Sequence, residues 1–383
     1  MVFFLIFCTI TYRKNVVALN MQKIISKLKA DRFLCISLLL LFPFFKLSGQ
    51  IILHHQAGLI KPKAFFIAGI NDERADKSRL GQLLVRDLEG RAMLRTTDLE
   101  GGAAAAIGEF IRHSLPQDHS LKPVVIGIKE LCVQESQQTG GNVKGMIKIR
   151  LSFGLQKDYG TEHLVDYQGG LQYTRSGAGT AAIEEYLRGI LKGSFDYLDK
   201  WMKDNSAVNR KLAETVKISF RDYMENPEGD TIYYSFMRPL KWSDFQSRSQ
   251  PSGIFEAQVI PGIGYTQQAQ VDKGTIEVEI VMKTFLPKSA CRANYSGRDE
   301  YTLNHEQRHF DIAKIIAEQF KDKIKSRQLT PDNFEAIINM QYLDSYRDMD
   351  AMQKAYDTET RHGTDRAAQS AWNSKIDKFL SAM

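Results

Sequence analysis

Hydrophobic and polar positions change their spacing several times along this chain, and each change marks an element. Ala64–Ile70 and Val124–Val133 are short β-branched runs that read as strands, and Gly145–Leu155 alternates with period two after a Gly140-Gly141-Asn142 turn. Between them, Leu99–Ser114 and Gly179–Met202 repeat apolar residues at three- and four-residue intervals, which predicts amphipathic helices. Residues 50–205 are therefore expected to form an α+β domain. The pairs Gly101-Gly102 and Gly169-Gly170 lack the strand and helix that flank a dinucleotide loop, so they read as turns.

Residues 206–235, with the turn sequence Asn226-Pro227-Glu228-Gly229-Asp230, read as a connection to a second domain over 236–383. That domain opens with Pro239-Leu240-Lys241-Trp242-Ser243-Asp244-Phe245. Phe255–Val271 and Thr275–Phe285 then predict a hairpin closed by Asp272-Lys273-Gly274. A loop through Cys291 and Gly297 leads to three predicted helices, Tyr301–Ser326, Asp332–His362 and Asp365–Leu380. In the first of these, Phe310, Ile312, Ala313, Ile315, Ile316, Ala317, Phe320 and Ile324 form an apolar surface too wide for a helix lying on the outside. The strand Thr275–Phe285 has two readings: an edge that holds an extended peptide, or one arm of an ordinary core hairpin.

At 383 residues and 43% hydrophobic content, the chain can supply two cores. Residues 1–49 read as a signal segment, with a basic stretch from Met21, an apolar run Phe33–Phe45, and Leu47-Ser48-Gly49 offering small residues for cleavage near Gln50. The run is shorter than the roughly 18 apolar residues of a spanning helix and contains Pro43, so no stable membrane span is expected after cleavage. The first twenty residues have the character of an upstream start. Export to the periplasm or beyond the cell follows as an expectation.

The formal net charge of +6 comes from this leader, where seven basic residues face Asp31 alone; 44 basic and 44 acidic residues lie beyond it. A neutral mature chain lacks the electrostatic footprint of a phosphate-backbone binder, and nucleic acid is excluded as an expected partner. Of the four cysteines, Cys8 and Cys35 fall in the leader; Cys132 and Cys291 are equally compatible with a disulfide and with two free thiols. No cysteine has a metal-binding spacing.

Candidate chemistry concentrates in Leu303-Asn304-His305-Glu306-Gln307-Arg308-His309-Phe310-Asp311. On a helix, His305 and His309 lie one turn apart on one face, close enough to share a zinc ion, and Glu306 stands beside them as a general base for a water. Two imidazoles and a carboxylate on an apolar helix are costly without a cation to offset them. A catalytic zinc takes three protein ligands, so a third donor is expected downstream. Tyr356-Asp357-Thr358-Glu359-Thr360-Arg361-His362-Gly363 is the best neighbourhood, with Gly363 ending one helix and Thr364 capping the next. Glu359 is the preferred third ligand, His362 is either the ligand or a substrate-facing group, and Asp357 is a further candidate. Tyr301, Tyr356 and His362 are candidate donors to an oxyanion. His54, His55, His113, His119 and His163 have no ligand spacing and read as surface or polar-core histidines.

On three segments, Leu240–Phe245, Asn304–Ile312 and Tyr356–Gly363 with Gln369 and Trp372, the chain resembles a bacterial family of predicted secreted zinc-dependent proteases catalogued as a domain of unknown function. The resemblance spans about Pro239–Leu380 and implies a zincin-like domain, a small β-sheet or hairpin with a helical bundle carrying the histidines. It also implies a Zn2+ cofactor and a peptide or protein substrate. Asp72–Gly81 and Arg175–Gly179 are similar to parts of small envelope lipoprotein-type domains and carry no catalytic residue. The expected function is a secreted or periplasmic zinc hydrolase, a metalloprotease with Glu306 as base. Its rival is a non-catalytic envelope binding or scaffold protein with a structural or vestigial metal site.

Overall fold

A computed structural model describes residues 49–176, 181–224, 228–251 and 256–383. The expected leader lies outside them except for Gly49. The protein is mixed α and β and divides into two compact units. The first comprises Phe66–Gly154 and Val165–Phe195 with the chain upstream to Pro62. The second comprises Lys63–Phe65, Leu155–Leu164 and Asp196–Met383.

Six strands, β1 (Phe65–Asp72), β2 (Gly81–Arg86), β3 (Ala92–Thr97), β4 (Lys122–Gln137), β5 (Asn142–Lys157) and β6 (Gly160–Ser176), make one sheet in the order β3-β2-β4-β5-β6, with β1 also on β4. Helices α1 (Ala103–Ser114) and α2 (Ala181–Asn205) complete this part of the chain, both close to expectation. Strands β2, β3 and β6 had no counterpart in the sequence reading. β3 is almost wholly exposed and β6 largely so, and without a buried face the period-two signal that reveals a strand is weak. Glu135 is buried here and accepts from Arg175 Nε and Nη2, Tyr173 Oη and the Leu84 N–H. All its lone pairs serve the fold.

The segment expected as a connection is structural. Within 206–235 lie β7 (Thr215–Asp222) and β8 (Thr231–Tyr233), and both pair with β11 (Thr275–Pro287). β11 also pairs antiparallel with β10 (Gly262–Asp272) along its whole length, so the sheet runs β10-β11-β7 with β8 continuing beside β7's end. This decides between the two readings of Thr275–Phe285: the strand is central and paired on both sides, with no edge to offer a peptide. Its hairpin turns through Lys273 (φ 47°) and Gly274 (φ 78°), the left-handed pair that matches the twist of two-residue hairpins. The remaining strands are short, β9 (Ala257–Gln258) antiparallel to β12 (Arg292–Ala293).

Three helices carry the rest of the second unit: α3 (Glu300–Lys325), α4 (Phe334–Thr360) and α5 (Arg366–Leu380). The inner face of the sheet, Ile276, Val278, Ile280 and Met282, packs with Ala313, Ile316, Ala317, Phe320 and Ile324 of α3 and Phe334, Ile338 and Met349 of α4. On the far side of α3, Ile312 and Ile315 join Tyr356, Trp372 and Ile376. Helix α3 is thus enclosed, as its wide apolar surface predicts. Among the described residues no helix is long and apolar enough to cross a membrane. Cys132 and Cys291 are free thiols.

Candidate metal centre

Helix α3 begins at Asp299, whose carboxylate accepts the Thr302 N–H at 2.7 Å. One turn further, His305, Glu306 and His309 are all buried, because the apolar positions that follow them fix the helix in the core. The two imidazole rings stand 5.0 Å apart, centre to centre. Their Nε2 atoms converge on a single oxygen: Asp357 Oδ1 lies 3.3 Å from His305 Nε2 and 3.0 Å from His309 Nε2. Among the described residues, this trio is the one group of three or more His, Cys, Asp or Glu side chains able to hold a metal ion, with ligand atoms all within 4.8 Å of one another.

Each histidine is oriented by a glutamine. His305 Nδ1 meets Gln369 Oε1 at 2.8 Å and His309 Nδ1 meets Gln353 Oε1 at 2.5 Å. The amide nitrogens are engaged elsewhere, Gln369 Nε2 with Tyr356 Oη and Asn373 Oδ1, Gln353 Nε2 with the His309 carbonyl, so the ends facing the imidazoles are acceptors. An acceptor at Nδ1 keeps a proton there and turns Nε2 toward the shared point, as outer partners of metal-binding histidines do. Tyr356 completes the floor. Fully buried, it stacks on His305 at 4.7 Å, meets His309 edge-on at 4.9 Å and donates its hydroxyl to the His305 carbonyl.

The charges are strongly coupled. Burial raises the Asp357 carboxyl, but hydrogen bonds from His305 and His309 outweigh it and hold the group well below the usual carboxylate range. Burial lowers His309, yet Asp357 and the charge of Glu306 raise it on balance. Glu306 goes the other way: burial pushes its carboxyl above the ordinary value despite the nearby imidazoles and the Val259 N–H it accepts at 2.8 Å. A cation that displaces the Nε2 protons now given to Asp357 would meet two imidazole nitrogens and one ionised oxygen around a common point, a donor set that zinc accepts.

These groups open on a cleft of about 390 Å³ walled by Glu256–Val259, the first turn of α3, and the corner His362-Gly363-Thr364 with Arg366. Gln258 Oε1 is buried there without a hydrogen-bond partner. The corner is strained: Arg361, His362 and Gly363 have φ values of 51°, 54° and 81°, three left-handed residues in succession. Gly363 lies directly against His305, whose Nδ1 is 3.2 Å from where a Cβ would stand.

The sequence candidates separate accordingly. Asp357, the third choice as ligand, is the carboxylate at the imidazoles. Glu359, the first choice, is exposed and accepts from Trp372 Nε1 at 2.7 Å. Two residues along a helix is about 200° of rotation, so Asp357 and Glu359 cannot share a face. His362 lines the cleft with Nδ1 3.6 Å from Asp357 Oδ1. Tyr301 also lines it, donating its hydroxyl to the Gly363 carbonyl at 2.6 Å. Tyr356 does not line it and is no candidate for an oxyanion there. The helix cap is Asp365 rather than Thr364, accepting from the Ala367 and Ala368 N–H groups. The other histidines stand apart from the trio: His54 binds Glu184, His113 binds Glu109 and lies tilted against His55, and His119 lies edge-on to Phe66.

Sequence reasoning missed Gln353 and the part played by Gln369. A signal existed: Gln353, Tyr356, Asp357 and Thr360 recur at intervals that place them on one helix face. It also left the Pro239–Phe245 segment without a role. That segment is fastened to α3 where Gln307 Oε1 accepts the Leu240 N–H, and Leu240 and Phe245 pack in one cluster with Phe310 and Cys291.

Comparison with known proteins adds a family of undefined activity. The family model described as a bacterial protein of unknown function (DUF922) matches residues 253–363, which include the two histidines, Glu306 and Asp357. No curated protein matches the chain. Among solved structures, a protein from Xanthomonas campestris of the family DUF330 aligns over 41% of this chain and 99% of its own, at 9% identity and a TM-score of 0.28. A minor lipoprotein from Acinetobacter baumannii aligns over 26% of this chain and 76% of its own, at 11% identity and a TM-score of 0.17. The matched stretch, residues 253–363, holds most of the residues that line the cleft, with Thr364 and Arg366 beyond it.

Proposed function

We propose that this protein is an exported zinc-dependent hydrolase, a zincin-like metallopeptidase, whose ion is held by His305, His309 and Asp357. The observation that carries this is the convergence of two Nε2 atoms on Asp357 Oδ1, each imidazole turned into place by a glutamine acceptor. Three protein donors beside an accessible cleft suit a catalytic site better than a structural one, which closes its fourth position with protein. A bound zinc supplies Lewis acidity toward a carbonyl oxygen and acidifies water to near neutrality.

The chain's own residues supply the rest. Glu306 is adjacent, buried and raised in proton affinity, which suits it to accept a proton from water and return it to a leaving amine. The Val259 N–H holds its Oε2 in place and links its position to the cleft wall at β9. His362 faces the same space and is the side chain available to share negative charge developing on a substrate oxygen, since the Tyr301 hydroxyl, which also lines it, is given to the Gly363 carbonyl. The test is metal analysis of the purified exported protein with a chelator-sensitive screen on peptide libraries. The Glu306→Gln variant is expected to keep its zinc and lose hydrolysis. Equal turnover in that variant removes Glu306 from the mechanism, and zinc retained without any hydrolysis in the parent favours the scaffold reading.

A further inference from the structure

We infer that Arg366 selects substrates carrying a carboxylate, an inference that rests on reading the cleft as a peptide-hydrolysing site. Arg366 is the one lysine or arginine lining the cleft, at the first position of α5. Its guanidinium lies 4.2 Å from the centre of the Tyr301 ring. That ring is itself fixed, because the Tyr301 hydroxyl donates to the Gly363 carbonyl. A guanidinium laid on an aromatic face keeps its in-plane N–H edges free and its orientation limited, the arrangement that takes a carboxylate through two parallel hydrogen bonds.

Nothing among the described residues uses those donors. Arg366 is exposed and makes no hydrogen bond or ion pair among the described residues; Asp299 acts on it through charge alone, and the acids nearest to it have their own hydrogen-bond partners. Asp299 and Asp365 cap α3 and α5, Glu306 accepts the Val259 N–H, and Asp357 serves the two imidazoles. Glu256, on the wall formed by β9, is the one acid of the cleft without a hydrogen bond to its side chain. It repels a carboxylate from that wall; Asp299 and Asp365 stand near Arg366, and the guanidinium is the arginine or lysine charge of the cleft that can draw a carboxylate in against them. The ligand chemistry is thus a carboxylate, from an aspartate or glutamate side chain or from a peptide's own C-terminus.

Two matched pairs of fluorescent peptides separate these sources: Glu against Gln at one position, and free acid against amide at the C-terminus. Binding by anisotropy and hydrolysis as kcat/KM are both measured on the zinc-loaded full chain. An exposed guanidinium–carboxylate pair predicts a preference of roughly 2- to 5-fold for the carboxylate in at least one pair. Arg366→Gln is expected to abolish that preference, Arg366→Lys to restore little of it, and Arg366→Glu to favour a lysine-bearing peptide, all with zinc content unchanged. A parent preference below twofold in both pairs, or a preference that survives in Arg366→Gln, overturns the inference and leaves the hydrolase reading standing. Arg366-dependent binding with no hydrolysis of any peptide sustains the carboxylate site and overturns the peptidase reading.

Discussion

The glutamine partners of the two histidines give the sharpest measure of whether this is a built metal centre. Gln369→Leu removes the acceptor at His305 Nδ1 and Gln353→Leu the one at His309 Nδ1, while neither touches the Nε2 atoms or Asp357. Loss of one such partner typically weakens metal binding by roughly 10- to 100-fold, or about 1.4–2.7 kcal/mol. The two rings share Asp357 and Tyr356, so the double variant is expected to depart from the product of the single losses, and the size of that departure measures their coupling. Folding suffers as well. Gln369 is buried and also bonds Tyr356 Oη and Asn373, so its loss leaves buried polar groups unsatisfied at about 1–3 kcal/mol. Zinc affinity by chelator competition, with urea denaturation of the same samples, separates the two effects. Affinity within twofold of the parent in both single variants, at unchanged fold, refutes the argument that the glutamines set the imidazole tautomers for a metal.

Asp357→Asn is expected to abolish zinc retention through dialysis, while Glu359→Gln keeps a full equivalent; the reverse pattern returns Glu359 to the site as ligand. Gly363→Ala meets both a left-handed φ of 81° and the His305 ring, so it is expected to cost at least roughly 1–2 kcal/mol in thermal or urea unfolding and to weaken zinc binding, and a silent substitution contradicts the packing at the corner. Burial raises the Asp244 carboxyl, but hydrogen bonds from Arg238 and the Lys241 N–H outweigh it, so its folded pKa lies below the ordinary value. A depressed acid stabilises above its unfolded pKa of about 3.9 and loses that contribution as pH falls through the folded one. Asp244→Asn should therefore cost roughly 1.5–3 kcal/mol at pH 7, with a smaller difference from the parent near pH 3; equal differences at the two values sink this assignment.

Sequence pattern determined much of the second unit. The 3.6-residue repeat of α3 fixed which residues are enclosed, and the four-residue spacing of His305 and His309 on that helix placed both imidazoles on one face; a helix makes such facts local. The hairpin of β10 and β11 was equally legible, since its turn residues demand a left-handed pair. Tertiary structure alone decided the rest. That Asp357 and not Glu359 meets the imidazoles depends on how α4 is rotated against α3, and two carboxylates two residues apart in a polar helix end give no periodic signal to choose between them. The pairing of β7 and β8 with β11 joins residues some sixty positions apart, so the segment reads as a connection until the sheet is assembled. The placing of Gln353 and Gln369 behind the two rings is of the same kind: an uncharged side chain acquires its role only when another helix brings it an imidazole N–H to accept.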